Sequence, residues 1–316
     1  MPNLFIHVGF PKTGTSSLQH NLFAKHSEAS YMRREQDIFH IRREICNNED
    51  IDVNAVREEA RTVVARRSKE APLVYSEEAY TEPLNARTSL NIGPTQVARR
   101  LRGVFPPEEF GTEVTIVLRK QQDLLLSWYS FMYHENFKHS DIESINDLIY
   151  KGTHDGGAVS RAFIEWLDYE QVLDAYDDSF GKERVHVLTY EQMSADLSGF
   201  LSELCSIHGI GVAEATEIMS AGAKRNVSKK DGEYYTPSTV YNVLGQIKSR
   251  FFPLLDSPRK YLGDWLVDGL RNFSSDPVEI SDDSMALLRS AYARKNARVV
   301  DKCGVELEKW DYFVEQ

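Results

Sequence analysis

The chain has 316 residues, of which 41% are hydrophobic and 27% charged, and its formal net charge is −11 at pH 7. This composition is typical of a globular protein with a substantial core, and it excludes general disorder. The acidic balance argues against a protein that wraps nucleic acid with broad basic surfaces, so any polyanion it binds needs a local basic pocket.

The three cysteines, Cys46, Cys205 and Cys303, share no metal-ligand spacing. Their odd number cannot make a complete disulfide framework, so we expect structural thiols in a reducing compartment.

The N-terminus lacks the charged region and apolar run of a secretory leader. No apolar stretch approaches the length of about 20 residues that spans a membrane. The sequence therefore predicts a soluble cytoplasmic protein without a transmembrane segment.

Short apolar runs rich in β-branched and aromatic residues predict buried parallel strands. They are Leu4 to Val8, Pro72 to Tyr75, Val114 to Leu118 and Val185 to Leu188. Polar residues and a helical pattern follow each run, as in the helices predicted at Thr15 to Phe23, at Asp123 to Tyr133 and after Glu191. This alternation predicts an α/β fold, a three-layer sandwich with a central parallel sheet flanked by helices.

Other regions of the sequence do not show this alternation of strand and helix. Residues 31 to 69 are rich in balanced charges and predict amphipathic helices, whereas the polar residues 133 to 157 predict a loop-rich excursion over an active site. Residues 223 to 237 form a polar link, and residues from about 239 to 316 are expected to be mostly helical. Because no repeat, low-complexity tract or convincing linker interrupts the chain, we expect one domain over residues 1–316.

The sequence "GFPKTGTSS", from Gly9 to Ser17, follows the first predicted strand and opens the first predicted helix. A helix start offers unpaired N–H groups and positive potential to an anion, and Gly14 lets the backbone approach it closely. Pro11 stiffens the turn. In a Walker A loop the lysine follows the second glycine, but here Lys12 precedes Gly14. The loop hydroxyls that add donors are those of Thr13, Thr15, Ser16 and Ser17.

The alternative interpretation is an ordinary strand-to-helix turn capped by threonine and serine. Capping alone does not explain a lysine, a proline and several hydroxyls together. An anion site is therefore favoured, and the predicted fold is P-loop-like.

Pro11 to Ser16 resembles the 5′-phosphosulfate-binding loop of the sulfotransferase family, whose usual form is close to P-K-[ST]-G-T-[TS]. The resemblance implies that 3′-phosphoadenosine 5′-phosphosulfate (PAPS) is the sulfuryl donor and adenosine 3′,5′-bisphosphate (PAP) the product. It also implies that the loop, with Lys12, holds the phosphosulfate. A lysine at this position would neutralise charge that develops on the leaving phosphate.

A second stretch, "VTIVLRKQQDLLLSWYSF" from Val114 to Phe131, also resembles this family. The family places an arginine at the end of a central strand and a serine eight positions later, both on the donor's 3′-phosphate. Arg119 and Ser127 have this spacing. The family's usual proline after the arginine is missing, since Lys120-Gln121-Gln122 stands there. This departure is expected to alter the turn and to keep both phosphate ligands.

A third stretch, "VHVLTYEQM", resembles the family's Tyr-Glu-Asp-like turn between a strand and a helix. The match implies that Tyr190 lies near the adenine, although a tyrosine ending a strand is often plain core. Many members also close the 3′-phosphate site with a basic loop, and in "AKRNVSKK" the residue we choose for this role is Arg225.

Sulfuryl transfer needs a base that takes the acceptor's proton. Glu78, with Glu77 in reserve, follows the second predicted strand at the sheet edge where parallel sheets bind ligands. Some relatives carry a Ser-x-Glu pattern there, although the pair could simply begin an exposed helix. His40 is a rival whose alternative role is structural. The histidines show no metal-ligand spacing, so we predict no metal.

The first hypothesis is thus a PAPS-dependent sulfotransferase that acts by direct in-line transfer to a hydroxyl or amine. By family analogy the acceptor is a carbohydrate or glycoconjugate, and stacking surfaces for sugars are offered by Tyr31, Tyr133, Phe137 and Tyr150. The alternatives are a P-loop nucleotide kinase or NTPase, disfavoured by the displaced lysine, and a non-catalytic nucleotide-binding module.

Overall fold

Five parallel strands form the central sheet of the computed structural model, in the order β2-β3-β1-β4-β5. The strands are β1 (Leu4–His7), β2 (Ser30–Met32), β3 (Leu73–Ser76), β4 (Glu113–Leu118) and β5 (Val185–Thr189). The structure describes residues 3–32, 38–67, 71–81, 92–133, 137, 140–154, 156–222, 229–230, 233–235 and 277–315. Strands β1 and β4 are direct neighbours, with His7 opposite Thr115, so the loop after β1 and the turn after β4 lie at the same sheet edge.

Helices connect the strands. After β1, helix α1 (Thr15–Ser17) continues as wider π-helical turns over Leu18–Phe23. The helices that precede β4 are α2 (Phe39–Asn47), α3 (Val53–Ala65), α4 (Pro94–Val104) and α5 (Pro107–Phe110). Those between β4 and β5 are α6 (Gln121–Met132), α7 (Ile145–Thr153), α8 (Ala158–Trp166) and α9 (Tyr169–Phe180). Those after β5 are α10 (Tyr190–Ala195), α11 (Leu197–His208), α12 (Val212–Ala221) and α13 (Asp282–Cys303).

The sheet buries apolar side chains on both faces. On β4, Ile116 and Leu118 join the larger core, whereas Val117 joins a smaller core with residues of the first helix and α11. This is the period of two that a strand requires, since successive side chains point to opposite faces. The predicted α/β class, with a parallel sheet between helical layers, is confirmed.

Two expectations for the sheet and its connections were incomplete or wrong. Strand β2 was not predicted, although its register with β3 makes it an edge of the sheet. Residues 133–157 are not all loop, because α7 begins after Ser144, whose side-chain oxygen accepts the backbone N–H of Asp147 at 3.1 Å. The amphipathic helices predicted within residues 31–69 are present as α2 and α3.

The C-terminal part of the chain packs on the same core. Helix α13 covers Asp282–Cys303, and its Leu288, Tyr292 and Val299 are buried in the larger core. A small antiparallel sheet joins β6 (Lys229–Lys230), β7 (Glu233–Tyr235) and β8 (Pro277–Val278). A single domain over residues 1–316 stays a prediction. Within the described ranges, no helix combines the length and the apolar character needed to cross a bilayer.

Candidate active site

The loop after β1 runs alongside β4 before the first helix begins. Its backbone is tied to that strand, since the Val117 N–H donates to the Gly9 carbonyl at 2.7 Å and the Phe10 N–H donates to the Val117 carbonyl at 3.0 Å. Three loop residues adopt positive φ, namely Gly9 at 111°, Lys12 at 66° and Gly14 at 82°. The loop leads directly into the N-terminus of α1, the part of a helix at which anions bind.

The loop hydroxyls divide into two groups. Those of Thr13 and Thr15 are buried and donate to the Phe10 carbonyl, at 2.5 Å and 3.2 Å, so they close the loop on itself. Ser16 and Ser17 are half-buried at the helix start. Gly14 is the N-cap residue of α1 and has no side-chain cap hydrogen bond. Backbone N–H groups and the serine hydroxyls are therefore better disposed toward an anion than the two threonine hydroxyls.

Gly14 also sets the distance between the loop and α10. A Cβ atom on Gly14 would lie 2.1 Å from Cε of Met193 and 3.5 Å from Cδ2 of Tyr190. Only a residue without a side chain permits this approach at a φ of 82°. The predicted phosphosulfate loop and the predicted adenine-side tyrosine are thus brought together.

Lys12 and Arg119, which the sequence assigned to opposite ends of one donor, are in contact. Arg119 is 8% exposed, and its Nη1 donates to the Lys12 carbonyl at 2.5 Å. The Lys12 ammonium lies 4.3 Å from the ring centre of Phe131, a residue of α6 that is 59% exposed. Adjacent parallel strands therefore deliver both cationic residues to one place.

Two tyrosines are the other close neighbours of the Arg119 guanidinium. Its Nη2 donates to the Tyr234 hydroxyl at 2.8 Å, and its guanidinium carbon lies 4.6 Å from the ring centre of Tyr190. Its Nε is buried without a hydrogen-bond partner among the described residues. Ser127, on the helix that follows, is fully buried. A buried, planar guanidinium with an unmatched N–H suits an oxyanion such as a phosphate, whose oxygens accept hydrogen bonds from it.

Tyr234 is the residue of this site that sequence reasoning missed. It belongs to β7, within the stretch interpreted as a polar link, and it is 4% exposed. Because it lies 115 positions from Arg119, no local pattern connects the two side chains. Arg225, the residue chosen from that link, lies outside the described residues.

The two adjacent glutamates have different environments. Glu77 is 1% exposed, its Oε2 lies 3.2 Å from Nε of Arg42, and its Oε1 accepts the Ala79 N–H at 3.1 Å. Glu78 is half-buried at the start of a 3₁₀ turn, Glu78–Thr81, and its Cα would lie 3.4 Å from a Cβ atom on Gly9. Glu78 thus borders the loop, whereas Glu77 holds the turn and α2 together.

His40 and two of the aromatic residues predicted to stack on sugars have different surroundings from one another. The His40 side chain is 52% exposed and pairs with Glu59 at 2.6 Å, between α2 and α3. Phe137 is 1% exposed and stacks on Tyr129, so its predicted role as a sugar-stacking surface was wrong. Tyr150 is 58% exposed and stacks on His154 with ring centres 4.5 Å apart.

Among the described residues no group of three or more histidine, cysteine, aspartate or glutamate side chains is arranged so that it could hold a metal ion.

The fold and this strand–loop–helix site define a P-loop-like α/β protein, and comparison with known proteins gives the family. The sequence profile described as a sulfotransferase domain matches residues 2–236, well over half of the chain. The chain therefore belongs to the sulfotransferase family, a family of transferases that move sulfuryl groups. A search of curated protein sequences found no match.

One of three solved structures compared with the chain supports this fold. A sulfotransferase from Alicyclobacillus acidocaldarius superposes with a TM-score of 0.54 at 15% identity, covering 98% of both chains. The sulfotransferase domain of the Synechococcus PCC 7002 olefin synthase gives a TM-score of 0.41 at 12% identity, covering 92% of this chain and 94% of that one. The mouse sulfotransferase SULT7A1 complexed with PAP gives 0.40 at 14% identity, covering 73% and 67%. Only the first has a TM-score high enough to support a fold comparison.

Proposed function

We propose that the protein transfers a sulfuryl group from PAPS to a hydroxyl or amine acceptor, by direct in-line displacement. The observation that carries this proposal is the 2.5 Å hydrogen bond from Arg119 to the Lys12 carbonyl. Two residues assigned by independent motifs to the 5′ and 3′ ends of one nucleotide are then close enough to bind the same molecule.

The site residues fit such a donor chemically. When bound, PAPS supplies an activated sulfuryl group whose leaving group is a phosphate. The loop Pro11 to Ser17 offers backbone N–H groups and serine hydroxyls to the phosphosulfate, and Arg119 with Ser127 offers donors to the 3′-phosphate. Arg225 is proposed as a further basic ligand to that phosphate. Tyr190 contacts the Arg119 guanidinium with its ring, which agrees with a place beside the nucleoside.

Lys12 has the role of neutralising charge on the leaving phosphate. Its ammonium rests 4.3 Å from the Phe131 ring, a cation–π contact worth about 0.5–1 kcal/mol at an exposed site. A phosphate oxygen forms a charge-assisted hydrogen bond of about 1.5–3 kcal/mol. The ammonium should therefore leave the ring when an anion enters the loop.

Glu78 is proposed as the base that takes the acceptor's proton. It is half-buried beside Gly9 at the carboxyl edge of β3, where parallel sheets present their ligands. Glu77 is the second choice because its carboxylate is paired with Arg42, and His40 is the third because Glu59 holds it on the α2–α3 surface.

The acceptor is proposed to be a carbohydrate or a glycoconjugate. Phe131 leaves 59% of its surface exposed next to Lys12, so an acceptor meets an aromatic ring beside the transfer centre. The apolar face of a sugar ring packs on such a surface while its hydroxyls remain solvated. The protein is proposed to act in the cytoplasm, without a metal and without a nucleic-acid partner.

Calorimetric binding of PAP to the wild type, Lys12→Ala and Arg119→Ala tests the donor site. Each substitution removes a charge-assisted contact and should weaken PAP binding by about 1.5–3 kcal/mol. Equal affinity in all three proteins would refute the assignment of Lys12 and Arg119 to the donor site.

Radiolabelled sulfate transfer from PAPS to a glycan panel then tests the acceptor class, with aryl alcohols and amines as comparison acceptors.

A further inference from the structure

The turn that follows β4 is held by side chains far from it in sequence. The Lys120 N–H donates to Oε1 of Glu191 at 3.0 Å, and the Tyr169 hydroxyl donates to the Arg119 carbonyl. This turn carries Arg119 at one end and starts α6, which contains Ser127, at the other. Both proposed ligands of the 3′-phosphate therefore depend on its position.

The C-terminal helix contacts this turn through a pair of amide side chains. Gln121 Nε2 donates to Asn296 Oδ1 at 2.8 Å, and Asn296 Nδ2 donates to Gln121 Oε1 at 3.2 Å. Asn296 Nδ2 also donates to the Phe313 carbonyl at 2.8 Å. Gln121 and Asn296 are 0% and 1% exposed, so the pair has no water to replace a lost partner. Gln121 lies in the segment where the family's usual proline is missing.

The C-terminal tail makes a second contact. The Tyr312 hydroxyl donates to Oε2 of Glu191 at 2.6 Å, while the other carboxylate oxygen of Glu191 accepts the Lys120 N–H. Burial raises the pKa of Glu191 because it disfavours the charged form, and the bonds from Tyr312 and Lys120 act in the opposite direction. Tyr312 is 5% exposed. The tail is thus linked through one half-buried carboxyl group to the backbone beside Arg119.

We propose that the segment from Asn296 to Phe313 positions Arg119 for the donor's 3′-phosphate, with Asn296 and Tyr312 as positioning residues. The inference rests on the proposed function and adds to it a segment beyond residues 2–236, the part matched by the family profile. Two contacts hold this turn: the buried amide pair at Gln121 and the half-buried hydrogen bond at the Lys120 N–H. A guanidinium that binds a phosphate bidentately is sensitive to any displacement of this turn, because its two N–H donors must match the positions of the phosphate oxygens.

Tyr312→Phe and Asn296→Leu test this role by calorimetry with two nucleotides, PAP and adenosine 5′-phosphate. The two ligands differ by the 3′-phosphate alone. Each variant should bind PAP roughly tenfold more weakly, because Gln121 or Glu191 loses a hydrogen-bond partner and the turn at residues 119–121 (the arginine turn) relaxes. Affinity for adenosine 5′-phosphate should stay within about twofold of the wild type, since the hydrogen bonds of Tyr312 and Asn296 go to Glu191, Gln121 and Phe313 and not to the loop after β1.

Tyr292→Phe is the matched control. It removes a buried tyrosine hydroxyl from α13, the helix of Asn296, and this hydroxyl donates to the Ile164 carbonyl at 2.8 Å, outside residues 119–121. This variant should keep the wild-type ratio of the two affinities even if its melting temperature falls. A merely structural role for the C-terminal segment would lower both affinities together in all three variants.

An unchanged affinity ratio in both Tyr312→Phe and Asn296→Leu would overturn the inference. A wild type that binds PAP and adenosine 5′-phosphate equally would overturn the proposed donor site itself, so the two failures are distinguishable. If Asn296→Leu fails to fold, the result from Tyr312→Phe, which removes a single oxygen atom, decides the matter.

Discussion

Lowering the pH from 7 to 5 should destabilise the protein through two buried histidines. His7, on β1, bonds to the Ser76 hydroxyl through Nδ1 at 2.7 Å, and His208, on α11, bonds to the Thr115 hydroxyl through Nε2 at 3.1 Å. Both side chains are fully buried, and the second ring nitrogen of each has no hydrogen-bond partner among the described residues. His208 also stacks on Phe5 with ring centres 4.9 Å apart. Neither site accommodates an imidazolium.

The magnitude follows from the two pKa values. Burial lowers the pKa of His7 to about 4 and, with a smaller effect of His7 itself, lowers the pKa of His208 to about 3. In the unfolded chain both should titrate near 6.5. As the pH falls, the two histidines are protonated in the unfolded state before they are protonated in the folded state. Their contribution to the free energy of unfolding is therefore fully present above pH 6.5 and is lost as the pH drops toward the folded-state pKa values. Between pH 7 and pH 5 each histidine should remove about 2 kcal/mol of unfolding free energy, about 4 kcal/mol for the pair.

Urea unfolding followed by tryptophan fluorescence at pH 7 and pH 5 measures this difference. His208→Phe replaces the imidazole with an apolar ring in an aromatic environment and should reduce the pH-dependent loss by about 2 kcal/mol, whatever it does to absolute stability. His20→Gln, at an exposed position, is the control and should leave the difference unchanged. If wild type and His208→Phe lose the same free energy between the two pH values, the reasoning is refuted.

Three further substitutions test the site. Glu78→Gln should bind PAP with wild-type affinity yet turn over at least about a hundredfold more slowly in the radiolabelled sulfate assay, because it lacks the proposed base; wild-type turnover would exclude Glu78. Tyr234→Phe should weaken PAP binding by about 1 kcal/mol in calorimetry, since its hydroxyl holds Arg119; unchanged affinity would contradict this role. Gly14→Ala should lower the free energy of unfolding by about 1–2 kcal/mol, because φ is 82° there. Gly93→Ala, at a φ of −66° with open space around it, should lower it by less, since only the N-cap preference of α4 opposes alanine there.

The parts of the fold and site that the sequence predicts are those with a local signal. A buried run followed by a glycine-containing turn located β1 and its loop, and the run ending at Leu118 located β4 and Arg119. Parallel strands present their carboxyl ends at one edge, so locating two strands was enough to predict that their terminal residues approach each other. The contact between Arg119 and the Lys12 carbonyl agrees with that prediction.

The parts that escaped prediction have no such signal. Strand β2 has three residues, too few for a period of two to stand out from its charged surroundings. The partners of the arginine turn are remote, since Tyr234 lies 115 positions from Arg119 and Asn296 lies 175 positions from Gln121. Tertiary packing brings such polar side chains together, and the type of one residue does not indicate which distant residue is its hydrogen-bond partner.

The position of Lys12, ahead of the second glycine, has a physical explanation in the loop's backbone. A φ of 66° in a residue with a side chain costs about 1–2 kcal/mol, and a glycine would avoid that cost. The conformation directs the Lys12 carbonyl to Arg119 at the end of β4, while its ammonium lies over Phe131 near the end of α6. A glycine would preserve the first contact and lose the ammonium. In the proposed donor site, this one strained position therefore both bonds to Arg119 through its carbonyl and supplies a positive charge, which a glycine would not do.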